Sequence, residues 1–76
     1  MNFRDLQKCI VEFEIPYDVE LRTECWSDPT AQEAIYIVEE NVLYLGDNLD
    51  NLCETIISDY RQMGLKDPTI KKYKVG

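Results

Sequence analysis

The chain has 76 residues, of which 45% are apolar, and a net charge of −7. That length supports one domain with a small core, and the apolar content is too high for a disordered acidic tail. No apolar run approaches the roughly 20 residues that span a bilayer, and residues 1–5 lack the apolar segment of a signal peptide. We therefore expect a cytoplasmic protein.

Acidic and basic residues are separated along the chain. Residues 1–60 contain 14 acidic and 3 basic residues, whereas residues 61–76 contain 1 acidic and 5 basic residues. The two parts therefore carry net charges of −11 and +4. An acidic body repels nucleic acid and anionic membranes and suits a basic protein partner. We expect no direct binding to nucleic acid or to a membrane.

The first segment predicts a helix over about residues 2–13. Apolar side chains recur at helical spacing from Phe3 to Phe13, which is typical of an amphipathic helix. Pro16 would stop this helix, because the residue before a proline is disfavoured in the helical region. From Val11 onward the alternation of apolar and acidic residues also fits a strand.

Three further segments predict strands. From Tyr17 to Cys25 apolar and charged residues alternate, which favours a strand with one polar face. Ala34–Glu39 and Val42–Leu45 are apolar on both faces and are joined by a short link, so they predict a hairpin. Strands that are buried on both faces need cover, which two helices can supply.

A second helix is predicted after Gly46. Asp47 or Asn48 can cap its start, and an apolar stripe at helical spacing runs from Leu49 to Met63. Gly64 follows as the residue that closes the helix.

These elements predict an α+β fold of the order α-β-β-β-α. A three-stranded antiparallel sheet would pack against two helices on one of its faces, within a single compact domain of residues 1–65. Residues 66–76 would form a basic tail, which is either a lysine-rich edge strand or disordered. Truncation after Leu65 is therefore expected to leave the domain folded.

The sequence offers little chemistry for catalysis or metal binding. It contains no histidine, the commonest general base and metal ligand. Cys9, Cys25 and Cys53 are odd in number and widely spaced, which is unlike a disulfide framework or a zinc site. We expect buried, reduced thiols, no cofactor, no metal and no enzymatic activity.

Acidic clusters and one aromatic residue are the candidate partner-binding residues. Asp18, Glu20 and Glu24 would project together from the polar face of a strand. Trp26 would either cover the edge of the core or act as an exposed anchor for a partner. The full candidate set is Glu12, Glu14, Asp18, Glu20, Glu24, Trp26, Glu39 and Glu40.

The leading hypothesis is a small acidic module that binds a basic protein partner. A sharper version is a nucleic-acid mimic that occupies the basic groove of an enzyme and thereby inhibits that enzyme. In size, acidity and element order the chain resembles small phage-encoded inhibitors, including some anti-CRISPR proteins, although this likeness assigns no residue a role. The alternative is a homo-oligomer or structural subunit with an apolar interface and no ligand, in which the acidic residues serve solubility.

Overall fold

The computed structural model describes residues 3–23 and 32–74. Within these residues the α+β class is confirmed. None of the described helices is long and apolar enough to cross a membrane. Candidate residues Glu24 and Trp26 lie outside the described residues. The elements in chain order are α1 (Phe3–Glu12), β1 (Glu20–Thr23), β2 (Glu33–Ile37), β3 (Val42–Gly46), α2 (Asp50–Gln62) and β4 (Ile70–Lys74).

The described strands form one mixed four-stranded sheet in the order β1-β3-β2-β4. The expected hairpin is present as the antiparallel pair β2–β3, and β4 lies antiparallel to the other side of β2. The expectation of a three-stranded antiparallel sheet is wrong, because β1 joins the outer side of β3 in parallel. Because β4 occupies the outer side of β2, β1 pairs with the outer side of β3. β1 and β3 run in the same direction.

The two described helices cover opposite faces of the sheet, so the expectation of two helices on one face is wrong. Side chains of β2 and β3 alternate between the two faces, and both faces are apolar, so each face needs its own cover. On the α2 face the buried core consists of Ile35, Ile37, Val42, Tyr44, Leu49 and Ile56. On the α1 face it consists of Cys9, Ile15, Ala34, Tyr36 and Leu43.

Residues 70–74 of the basic tail form an edge strand, the first of the two alternatives drawn from the sequence. Its side chains reach both cores: Ile70 packs against the α2 side and Tyr73 against the α1 side. The Tyr73 ring meets the ring of Phe13 edge-on, with 6.1 Å between centroids. β4 is therefore an integral part of the sheet.

Both helices end in the same backbone motif. After α1 the Ile15 N–H donates to the Ile10 carbonyl at 3.0 Å, and Glu14 between them takes the left-handed conformation with φ 54°. After α2 the corresponding left-handed residue is Gly64, with φ 75°, as the sequence predicts. Glycine takes this conformation without a steric penalty, whereas Glu14 does not. The α1 motif turns the chain toward β1.

Candidate functional site

Four of the candidate carboxylates lie at one end of the sheet. The turn between β2 and β3 carries Glu39 and Glu40. Asn41, the last residue of this turn, donates from Nδ2 to Asp18 Oδ1 at 3.1 Å, and its carbonyl accepts the Glu20 N–H at 3.1 Å. These contacts bring the start of β1 beside the turn. We call the group of Asp18, Glu20, Glu39 and Glu40 the acidic end.

Asn41 organises the acidic end, and it is not among the residues predicted from the sequence. Its backbone has φ 54°, a left-handed conformation that asparagine adopts more readily than most residues. The Tyr36 hydroxyl donates to Asn41 Oδ1 at 2.7 Å, while Asn41 Nδ2 holds Asp18. Because Tyr36 is buried in the α1-side core, the position of Asp18 is fixed from inside the protein. An asparagine after two glutamates in a tight hairpin link was the available signal.

Glu20 is partly neutralised by Arg22. The Arg22 guanidinium pairs with the Glu20 carboxylate at 3.0 Å, and both side chains are more than half exposed. Arg22 also donates to the Tyr44 hydroxyl at 3.1 Å and lies over the Tyr44 ring, 5.8 Å from its centroid. An exposed pair of this kind adds little stability but fixes the direction of its side chains. Among the described ion pairs, this is the one that involves the acidic end.

Glu39 and Glu40 face the end of α2. The Glu39 carboxylate accepts the Thr69 N–H at 2.7 Å. Partial desolvation alone would raise the pKa of Glu39, but the hydrogen bonds that it accepts lower the pKa overall. The pKa of Tyr60 is raised, first by desolvation and then by the charges of Glu40 and Glu39. Tyr60 on α2 therefore lies within the negative potential of the acidic end.

The remaining candidate carboxylates are placed differently. Glu12 is the last residue of α1, and its charge acts on Cys9 and Tyr73 on the α1 face. Burial, with a smaller contribution from Glu12, raises the pKa of the Cys9 thiol to about 11. Glu14 occupies the left-handed position after α1. The expected row places Asp18 on the same strand as Glu20, but β1 begins at Glu20 and Asp18 lies in the preceding turn. Glu24, the third member of that row, lies outside the described residues.

The opposite end of the sheet carries a balanced group of charges. Glu33 is only 6% exposed, and its carboxylate accepts the Leu49 N–H at 3.1 Å. The ammonium groups of Lys72 and Lys74 each lie 3.7 Å from the same carboxylate, and Lys72 also pairs with Asp50. Hydrogen bonding to Lys72 lowers the pKa of Asp50 and raises that of Lys72. We call Glu33, Asp50, Lys72 and Lys74 the balanced end.

The predicted cap of α2 is wrong, because Glu33 supplies the oxygen at the start of this helix. The sequence indicates Asp47 or Asn48, but the N-cap position is Leu49, which has no side-chain oxygen. Asn48 Oδ1 lies 3.4 Å from the Asp50 nitrogen, which is a long hydrogen bond. The buried carboxylate of Glu33 comes instead from the start of β2, where a negative charge complements the helix dipole. Glu33 and Ile35 are two residues apart in β2 and lie on the same face of the sheet. This alternation could have indicated from the sequence that Glu33 belongs to the strand.

Neither described cysteine belongs to a metal or disulfide site. Cys9 is buried and Cys53 half-buried, and both thiols are free. Across residues 3–23 and 32–74 no three metal-ligating side chains converge. Comparison of the chain with protein-family models, with curated proteins and with solved structures found no match. The function is therefore inferred from the residues and geometry of the chain itself.

Proposed function

We propose that the protein is a small acidic binding module whose acidic end engages a basic protein partner. One observation carries this proposal. Asn41 ties the β2–β3 turn to the start of β1, so that carboxylates distant in sequence are held together on a hydrogen-bonded frame. Preorganised charges cost less to bind than mobile ones, because fewer side chains must be ordered on association.

The contrast between the two ends of the sheet supports this assignment. At the balanced end each carboxylate lies next to an ammonium group of β4, so its charge is satisfied within the chain. At the acidic end Arg22 pairs with Glu20, while Glu39 and Glu40 are exposed. A negative patch that the described basic residues neutralise only in part attracts a basic surface and accelerates association with it.

The sharper form of the proposal is a nucleic-acid mimic. Such a protein would place its carboxylates where the basic groove of a nucleic-acid-binding enzyme receives phosphates, and would thereby inhibit that enzyme. The net charge of −7 on 76 residues and the hydrogen bond that ties the hairpin turn to buried Tyr36 support this form. It predicts that binding weakens steeply as salt increases, since the interaction is carried by exposed charges.

The location of the binding surface is tested by neutralising charges in matched pairs. Glu39→Gln with Glu40→Gln removes two charges from the acidic end, and glutamine at position 39 keeps an oxygen for the Thr69 N–H. Glu54→Gln with Asp59→Asn removes two charges from exposed positions of α2 and serves as the control. The probe is a synthetic oligo-lysine peptide, whose association with each variant is followed by biolayer interferometry.

We expect the acidic-end pair to weaken peptide binding by about two- to tenfold at low salt, as the loss of two exposed charge contacts implies. The control pair should change it by less. All differences should fade near 0.5 M salt, where the Debye length is only a few ångströms, about 4 Å. Equal weakening by the two pairs would show that the peptide responds to net charge alone, and the assignment to the acidic end would fail. The same variants then test any partner recovered from the source cell.

A further inference from the structure

β1 presents an open backbone edge. Within the described sheet it pairs with β3 on one side only. Since the Glu20 N–H donates to the Asn41 carbonyl, the backbone groups of Glu20 and Arg22 face β3. Alternation along the strand then directs the N–H and carbonyl of Leu21 outward. An outward pair of this kind can receive another strand.

An apolar groove runs beside this open edge on the α1 face. It has a volume of about 390 Å³. Two of its residues are exposed well beyond what a core position allows, Val11 at 71% and Leu21 at 52%, and Tyr17 is fully exposed. Contiguous exposed apolar side chains mark interaction surfaces. The apolar residues that line the groove include Leu6, Ile10, Val11, Tyr17, Val19 and Leu21.

We propose that the β1 edge and this groove bind a second copy of the chain. In this dimer the two β1 strands pair antiparallel, with Leu21 opposite Leu21 of the second copy. Because the Leu21 backbone groups face outward in both copies, the two residues would exchange two hydrogen bonds. The two four-stranded sheets would join into one continuous sheet.

The order of side chains in β1 favours a second copy over an unrelated strand. Around a Leu21 pair, antiparallel register places Glu20 of each copy opposite Arg22 of the other. Both side chains lie on the α2 face, as their pairing with Val42 and Tyr44 shows. Cross-strand pairs of opposite charge are favourable, and here they occur twice by symmetry. The sequence Glu-Leu-Arg is thus complementary to itself.

The other face of the sheet fits the same arrangement. A two-fold axis normal to the sheet, through the Leu21 pair, places both copies of α1 on the same side. Leu21 and Tyr17 of the two copies would then flank the axis, and the two grooves would lie side by side. One symmetry operation therefore satisfies the open backbone edge, the exposed apolar residues and the charges of β1.

Sedimentation velocity of the full chain from about 10 µM to about 1 mM tests this proposal, since dimer formation depends on concentration. Moderate salt screens the repulsion between two bodies of net charge −7. We expect a monomer–dimer equilibrium. Leu21→Lys should abolish the dimer without changing the melting temperature of dilute, monomeric protein, because Leu21 is already half exposed. A chain that stays monomeric throughout this range would overturn the proposal.

A charge-complementation experiment tests the register. Glu20→Lys leaves only positive charges to face each other across the β1 pair, and Arg22→Glu leaves only negative ones. Each variant alone should dimerise at least about tenfold more weakly, and an equimolar mixture should recover the dimer as a heterodimer. Glu54→Lys, with the same charge change on α2, should leave the dimer intact.

Three results would contradict this register or this partner. The first is a dimer that survives both single charge variants, and the second is a mixture that fails to recover. The third is a Leu21 amide protected from hydrogen exchange in the monomer, which would mean that another part of the chain covers the edge. The acidic-end variants Glu39→Gln and Glu40→Gln do not touch β1, so the dimer and the binding of a basic partner can fail separately.

Discussion

The two edge strands of the sheet differ in how they are attached. β4 contributes Ile70 to one core and Tyr73 to the other, and its lysines reach the buried carboxylate of Glu33. β1 contributes half-exposed Leu21 and an exposed ion pair between Glu20 and Arg22. β4 is therefore anchored by side chains in both cores, whereas β1 is attached by its backbone and by the contact of Arg22 with Tyr44.

This difference shows how one small sheet can be both stable and available to a partner. Lysines on an edge discourage the addition of another strand, so the side chains that anchor β4 also protect it. β1 has one basic residue, and that residue is complementary to its own neighbour two positions away. Within the described residues, the β4 edge is thus protected against pairing and the β1 edge is unpaired.

Deleting β4 should have the largest effect. An apolar side chain removed from a core typically costs about 2–5 kcal/mol, whereas a domain of this size is stabilised by only about 4–11 kcal/mol in total. Since β4 supplies an apolar side chain to each core, we expect the truncated chain 1–65 to lose its cooperative thermal transition in circular dichroism. This reverses the expectation from the sequence. A cooperative transition retained in 1–65 would show that β4 is dispensable and that the comparison of the two edges is wrong.

Substitution of Glu33 should have the next largest effect. Glu33→Leu leaves the Leu49 N–H without an acceptor and removes the buried charge near two lysines. A buried donor left unsatisfied costs about 1–3 kcal/mol, so we expect a loss of this size or more in urea unfolding. Glu33→Gln keeps the acceptor and should cost less. Equal losses for the two variants would mean that the charge, and not the cap, is the main contribution of Glu33.

A matched pair of alanine substitutions compares the edges directly. Ile70→Ala on β4 should lower the free energy of unfolding by about 1–2 kcal/mol, at or below the lower limit for core truncations because Ile70 is only half-buried. Leu21→Ala on β1 should change it by less than about 0.5 kcal/mol, as for exposed positions. Both values come from urea titrations of dilute protein, in which any dimer is dissociated. A larger loss for Leu21 would show that β1 is the anchored edge.

Local patterns predict the elements of this fold well. The helical stripes and the two doubly apolar strands indicate α1, α2, β2 and β3 to within a few residues, because these signals depend on neighbours in sequence. Gly64 marks the end of α2 for the same reason. The end of α1 is less predictable, since Glu14 takes a conformation that glycine usually occupies.

Pairing between distant segments could not be derived in the same way. Nothing in the residues of β1 states that it runs parallel to β3, because the alternation is the same for either direction. Doubly apolar strands indicate cover on both faces, but they do not say that each helix takes a different face. The cap from Glu33 is likewise non-local, since it joins the start of β2 to the start of α2.

The candidate site was predicted in part. Acidic composition identified Asp18, Glu20, Glu39 and Glu40, but their grouping depends on Asn41, whose role is visible only once β1 lies beside the hairpin turn. The location of the open edge and its apolar groove could not be predicted from the sequence. It depends on the pairing of β1 with β3, which places β1 at the edge of the sheet.

The topology of the sheet also sets an order of assembly. The hairpin closes over the few residues between Ile37 and Val42, whereas β1 and β4 reach it from distant parts of the chain, with Glu20 beside Val42 and Ile70 beside Ile37. Short closures cost less entropy and form faster than long ones. The hairpin should therefore form first and gain its flanking strands later. The weakly anchored β1 would then detach most readily in the native state, giving a partly unfolded form whose newly exposed strand is β3.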